Sequence, residues 1–462
     1  MAFPTLRQSS MSARRSPRDR VLQLGMLAIW IVALALRLWH LGELEPPVFD
    51  EVYFPKFAEA YLDGTAPYDA HPPLGKYLIA SGIVALGRNA WGYRIATAIA
   101  GSLIPVAVAG LAYKISYRRR FAWWAGGLML CDGLFLVESR LGLLNTFLVL
   151  FGVVAQIYAI AALEARGARR GLLLGGAGLL LGASASVKWN GLGFALALAG
   201  MAALAWSHAL LRLKSPLPLG IWGQVRSLRW KHYLVYFGFL PAGFYLLQWL
   251  PHLLQQGIIQ PGSGWRDWVQ LGRRLLQLHA SLMGLHTSAT AGVGVDELVH
   301  PYCSTWLSWP VLARPMGYFF QADGNIWRDV HAIGNPVEWW LATAAVVGLA
   351  VWGLARLQAI PAYWLVGYAA NLLPWALVSR CVFIYHYMSA YVFGILALAW
   401  VMDASIGHPK PIWRWLGWSA AIAIVACALF FSPIWLALPL SPEQFYRRIW
   451  FVPDRIPGFN WL

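Results

Sequence analysis

Apolar stretches of membrane-crossing length recur eleven times along this chain, and that recurrence limits its fold more than any motif does. Crossing ~30 Å of hydrocarbon takes roughly 17–25 residues of helix. Runs of that kind lie at about 21–41, 94–116, 121–138, 142–163, 171–187, 190–211, 233–250, 338–357, 360–378, 384–402 and 416–438. Residues 74–87 are also mostly apolar but too short to span. Charged residues fill only 12% of the 462 positions, about half the share usual in a soluble domain. The expected fold class is an all-α polytopic membrane protein with about 11 transmembrane helices.

A formal net charge of +16 would suit nucleic acid if the cations shared one surface, but they fall in alternate loops. Arg14, Arg15, Arg18 and Arg20 precede the first run, and Lys114, Arg118, Arg119 and Arg120 follow the second. Further groups follow the fourth, sixth and tenth runs. Placing these in the cytoplasm puts 20 Lys/Arg against 3 acids there, and 16 against 17 elsewhere. Such an excess marks inner loops. The N-terminus is thus expected inside and the C-terminus outside a cell membrane, with membrane lipids and no nucleic acid as partners. Residues 1–20 read as a basic cytoplasmic tail, not a cleavable signal, and 21–462 as a single membrane domain. Two long loops, 42–93 and 251–337, then face outside. The four cysteines show no CxxC spacing, and a structural disulfide is not expected, although Cys303 lies outside where a bridge could form.

The unusual polar residues gather in those outer loops. Asp50 and Glu51 are adjacent, so their side chains diverge; one is expected to face a cavity and the other to anchor the loop. Residues 51–62 carry a helical apolar stripe suited to an interfacial helix. His71-Pro72-Pro73-Leu74-Gly75-Lys76 fixes an extended entry to a second short helix, 74–86. Lys76 would sit in its first turn, the unfavourable end for a cation, which points to an external anion. Arg94, Arg140, Lys188 and Arg380 lie at outer ends of spans. Each alone could simply snorkel. Converging with His71 and Lys76, they would hold a phosphodiester. His279 and His286 are seven residues apart, not a zinc spacing, so no metal is expected.

Together these residues resemble the protein O-mannosyltransferase family. Asp50-Glu51-Val52-Tyr53-Phe54 is similar to that family's DEVHF and HPPLGK at 71–76 to its HPPLAK. Arg140–Asn145 is similar to an RLxLLD element, Ser186–Trp189 to SVKW, His300–Pro310 (HPYCSTWLSWP) to HPYxSxWWxWP, and Tyr385-His386-Tyr387 to a late YHY/F element. Asn145 stands where the family has an acid and Leu307 where it has tryptophan. The second loop is too short for the β-trefoil that eukaryotic members insert, so the likeness is to bacterial members.

The resemblance implies the C-type glycosyltransferase fold and an inverting reaction without metal or cofactor. A polyprenyl-phosphate mannose would be the donor and Ser/Thr of exported proteins the acceptor, at the outer membrane face. On that footing Asp50, or in its place Glu51, is the expected general base. His71, Lys76, Arg94 and Arg140 are expected on the donor phosphate. Tyr53, Lys188, His300, Tyr302, Arg380 and His386 are expected around the cavity. Two alternatives stay open: a related transferase acting on a glycan or lipid, and a transporter or flippase, for which Asp132 is the main mid-span acid.

Overall fold

The computed structural model describes residues 20–45, 47–210, 220–257, 264–287, 300–356, 359–453 and 455–462. Most of the basic tail and residues 288–299 of the second loop lie outside them. Helices occupy all eleven apolar runs. The first two are α1 (Arg20–Leu38) and, after the short helices α2 (Phe54–Leu62) and α3 (Leu74–Leu86), α4 (Ala90–Ser116). Asn89 caps α4 by accepting the Gly92 N–H.

The third run departs from a single span. It divides into α5 (Arg119–Cys131) and α6 (Gly133–Glu138) because Asp132 adopts an extended conformation and accepts the Phe135 N–H at 2.8 Å. A residue expected as a mid-span acid is therefore a buried helix cap. α7 (Asn145–Glu164), α8 (Gly167–Val187) and α9 (Leu192–Leu210) follow. The seventh run is interrupted: α10 (Trp230–His232), a π-helical stretch Tyr233–Phe239, α11 (Leu240–Gln248) and α12 (Leu250–Gln255). Gly178 and Gly182 let α8 meet this stretch closely; a Cβ on either would lie under 3.0 Å from the carbonyls of Tyr236 and Pro241. Among the described residues, eight helical segments are long and apolar enough to cross a bilayer by themselves. The pair α5–α6, α14 (Pro336–Arg356) and α15 (Ala359–Leu372) account for the other runs. α16 (Met388–Ile406) and α17 (Pro411–Trp435) complete the bundle.

α4, α7 and α16 are the most buried spans, whereas α1, α17 and the Trp230–Gln255 stretch lie at the periphery. The ends of the bundle are chemically distinct. At one, Arg118 and Arg120 both pair with Asp403, and Lys114 pairs with Glu164. At the other lie α2, α3 and the second loop. That loop contains α13 (Trp265–Thr287) and an antiparallel hairpin of β1 (Met316–Asp323) and β2 (Ile326–Ala332), an addition to the all-helical expectation. Its turn holds Gly324 at φ 54° after Asp323, and Asp-Gly between aromatic runs is a hairpin signal that the sequence carried.

Candidate active site

Asp50 and Glu51 occupy a tight 3₁₀ turn, Phe49–Val52. Phe49 enters it at φ 49°, left-handed backbone that a bulky residue rarely adopts. Its ring stacks on Tyr318 at 4.5 Å, which holds it there. Glu51 points inward and is fully buried. Its two oxygens take Nε and Nη2 of Arg94, each at 2.7 Å, together with the N–H groups of Gly142 (2.7 Å) and Val48 (3.2 Å). Four charge-assisted bonds occupy its oxygens and tie the turn to Arg94 and Gly142. Asp50 points the other way, and no described residue hydrogen-bonds its carboxylate. Burial raises its pKa to about 6; Lys188 opposes that rise and Asp69 adds to it.

Three of the four expected phosphate ligands are engaged elsewhere. Arg94 is buried on Glu51 and also donates to the Leu41 carbonyl at 2.9 Å. Lys76 is buried with its ammonium on Asp69 (2.5 Å) and the carbonyls of His71 and Pro72 (2.7 Å each). Its place in the first turn of α3 thus follows from an internal partner, Asp69, that sequence spacing did not suggest. Arg140 reaches back across the fold and caps the end of α1 through the carbonyls of Leu36 and Trp39, at 2.8 and 2.5 Å. These three cations brace the outer turns against one another. His71 alone of the four stays open.

His71 lines a cavity of about 740 Å³ together with Lys188, Trp189, His286, Arg380 and His386. This polar group forms one end. The walls are apolar, from Ala159 and Leu163 of α7, Leu174 of α8 and Leu196 and Ala202 of α9, down to Trp222, Val225 and Tyr233. Of the residues expected around a cavity, Lys188, Arg380 and His386 line this one. Lys188 and Arg380 supply its positive charge. Burial, reinforced most among the surrounding charges by Lys188, holds the His71 imidazole well below its usual range, so it is neutral. His286 was not expected to take part. It comes from α13, stacks on His71 at 5.7 Å and hydrogen-bonds the Ala70 carbonyl at 2.9 Å. The signal was its two-turn spacing from His279 on one helix face. His279 in turn stacks on Trp189 and meets the Tyr245 hydroxyl at 2.8 Å.

Lys188 stands between the two features. Its ammonium lies 5.1 Å from the Tyr385 ring and 3.1 Å from the Asn145 amide oxygen. The Asn145 amide donates onward to Glu138 at 2.9 Å, and the Tyr318 hydroxyl donates to the other Glu138 oxygen. Tyr318 is the extra residue of a bulge in β1, between the pairs Gly317–His331 and Phe319–Val330. The bulge aims it into the core. Burial lowers the Lys188 pKa from its ordinary value, while Asp50 and Glu138 pull it back up. Asp50 is coupled to this ammonium but does not itself line the cavity.

The other expected cavity residues do not reach it. Tyr53 is exposed and stacks on Phe57. His300 packs edge-on against Phe383 at 5.1 Å, and Tyr302 lies under Arg314. They flank a disulfide between Cys303 and Cys381, contrary to expectation. A separation of 78 residues hid that pair. Beside it, Ser304 N–H donates to the Val382 carbonyl at 2.9 Å. The segment that carries Arg380 is thus fastened to the second loop.

Comparison with known proteins agrees with this architecture. The family model for dolichyl-phosphate-mannose-protein mannosyltransferase matches residues 27–255, and that for the C-terminal four-transmembrane region of protein-O-mannosyltransferase matches 265–453. The polyprenol-phosphate-mannose–protein mannosyltransferase of Mycolicibacterium smegmatis is 29% identical over 94% of this chain and 93% of its own. The Mycobacterium tuberculosis protein of the same name is 28% identical over 91% and 90%. Among solved structures, the Saccharomyces cerevisiae Pmt1-Pmt2 complex bound to the sugar donor superimposes with a TM-score of 0.76 at 16% identity, covering 95% of this chain and 94% of that one. ArnT from Cupriavidus metallidurans bound to undecaprenyl phosphate gives 0.52 at 14%, covering 90% and 64%. The fold is that of the C-type membrane glycosyltransferases. With the two family models covering nearly the whole chain, it belongs to the protein O-mannosyltransferase family.

Proposed function

We propose that this chain transfers mannose from a polyprenyl-phosphate mannose to Ser/Thr hydroxyls of exported polypeptides, at the extracytoplasmic face of a cell membrane. One observation carries the reading: a carboxylate without a hydrogen-bond partner among the described residues, its pKa raised to about 6, is coupled to Lys188 at the polar end of a deep apolar cavity. The cavity's shape and lining suit a prenyl chain. Lys188 and Arg380 would hold the phosphate, with neutral His71, His286 and His386 as hydrogen-bond partners. The names of the mycobacterial relatives support the donor class.

In the reaction, Asp50 accepts the proton of the attacking hydroxyl. The oxygen forms a bond to the anomeric carbon as the bond to the phosphate oxygen breaks, and that electron pair leaves on the phosphate. Attack from the opposite face inverts a β-linked donor to an α-mannoside. Help from a general base is worth roughly 10²–10⁴-fold. Charge growing on the departing phosphate is met by Lys188 and Arg380, cations already in place, where electrostatic stabilisation is most effective.

The test uses purified protein with polyprenyl-phosphate mannose and a Ser/Thr peptide, with a glycolipid acceptor in parallel. Mannose on the peptide is expected. Mannose on the glycolipid alone would transfer the reading to a lipid-modifying enzyme, and no transfer to either would overturn it.

A further inference from the structure

The buried carboxylate of Glu138 has no part in the mechanism above, yet it sits within one amide of the ammonium on which that mechanism depends. Both its oxygens are engaged, by Asn145 and Tyr318, and its side chain is fully buried. It lies outside the cavity wall, and with both oxygens taken it has none left for a substrate. It also ends α6, and a carboxylate at the C-terminal end of a helix opposes the peptide dipoles. Local structure therefore does not account for an acid here; the cation across Asn145 does.

Lys188 is itself buried and its charge needs an answering one. Asp50 cannot serve throughout, because it becomes neutral when it takes the acceptor's proton. We infer that Glu138 is a positioning residue: it is the standing counter-charge of Lys188, relayed through Asn145, and thereby leaves Asp50 free to act as a base. The inference rests on the proposed function. If Glu138 were neutral, the ammonium would pair with Asp50 alone and hold its proton affinity down.

Relocating the charge tests this. In Glu138→Gln, the amide oxygen still accepts from Asn145 while the amide nitrogen donates to the Tyr318 oxygen, reversing that bond, and the charge is lost. In the double variant Glu138→Gln/Asn145→Asp, the carboxylate moves to the position whose oxygen lies 3.1 Å from Lys188. With kcat and KM measured separately, Glu138→Gln is expected to lose several-fold in kcat, about tenfold per unit of lost basicity being the upper limit for a general base, with peptide KM unchanged. The double variant should return to within about threefold of wild type, as the net charge around Lys188 is restored.

Wild-type kcat in Glu138→Gln would overturn the inference, as would equal impairment in both variants, which would make Glu138 a matter of shape. Should Glu138→Gln fail to accumulate in the membrane, the double variant decides alone: active supports the inference, inactive overturns it. A wild-type protein without transferase activity removes the functional reading itself, an outcome distinct from these.

Discussion

The elevated proton affinity of Asp50 originates mainly in burial, moderated by Lys188. The sign follows directly. Below about pH 6 the carboxyl is protonated and cannot accept the hydroxyl proton, so transfer falls as pH drops through that value and levels off above it. Asp50→Asn should abolish this limb along with about 10²-fold or more of the rate, with normal amounts of protein in the membrane. A rate that stays flat well below pH 6 in the wild type would remove Asp50 from the role. Its neighbour behaves differently. Arg94→Ala leaves the Glu51 carboxylate buried without its partner, a loss of roughly 3–5 kcal/mol. The expected result is a lowered thermal midpoint and less protein, while the donor KM of what remains is unchanged. A raised KM at normal stability would restore Arg94 to the phosphate. The sequence disclosed that residues 50 and 51 diverge. It could not disclose which was which, because the Gly142 amide and the Arg94 guanidinium that choose Glu51 come from distant segments.

Among the elements, α3 was legible to the residue, since its apolar periodicity and the two prolines act locally, whereas the helix expected from residue 51 begins at Phe54 because the Phe49–Val52 turn takes its first residues. The break between α5 and α6 was not legible, because a cap and a mid-span acid look alike until the backbone around Asp132 is seen. The same limit concealed the Cys303–Cys381 bond. That bond ties the loop bearing Arg380 to the HPYCSTW segment, and Arg380 otherwise donates only to its neighbour's carbonyl among the described residues. Removing it by Cys303→Ser/Cys381→Ser should raise the donor KM several-fold, the order of effect expected when a charged ligand is loosely held. Substituting Cys131 and Cys427, which are free, should leave KM alone. Equal effects in the two pairs would show that the bridge does not position Arg380.

For the molecule as a whole, hydropathy placed helices over all eleven apolar runs. The cationic lysines and arginines flagged at the outer ends were a mixed set. Lys188 and Arg380 face the cavity, whereas Lys76, Arg94 and Arg140 hold the outer turns together. Sequence position alone cannot separate a cation aimed at a ligand from one aimed at a carbonyl. The apolar walls predict a chain-length effect: Ala199→Trp, on the cavity lining, should slow transfer from long prenyl donors more than from short ones. Equal slowing would mean that the prenyl tail lies elsewhere. A chamber with a cationic end and a greasy shaft also holds the carrier after the reaction. The spent polyprenyl phosphate keeps the tail and presents a monoester of higher charge than the donor's diester, so it should compete with fresh donor. Turnover would then be paced by how quickly the used lipid slips back into the bilayer.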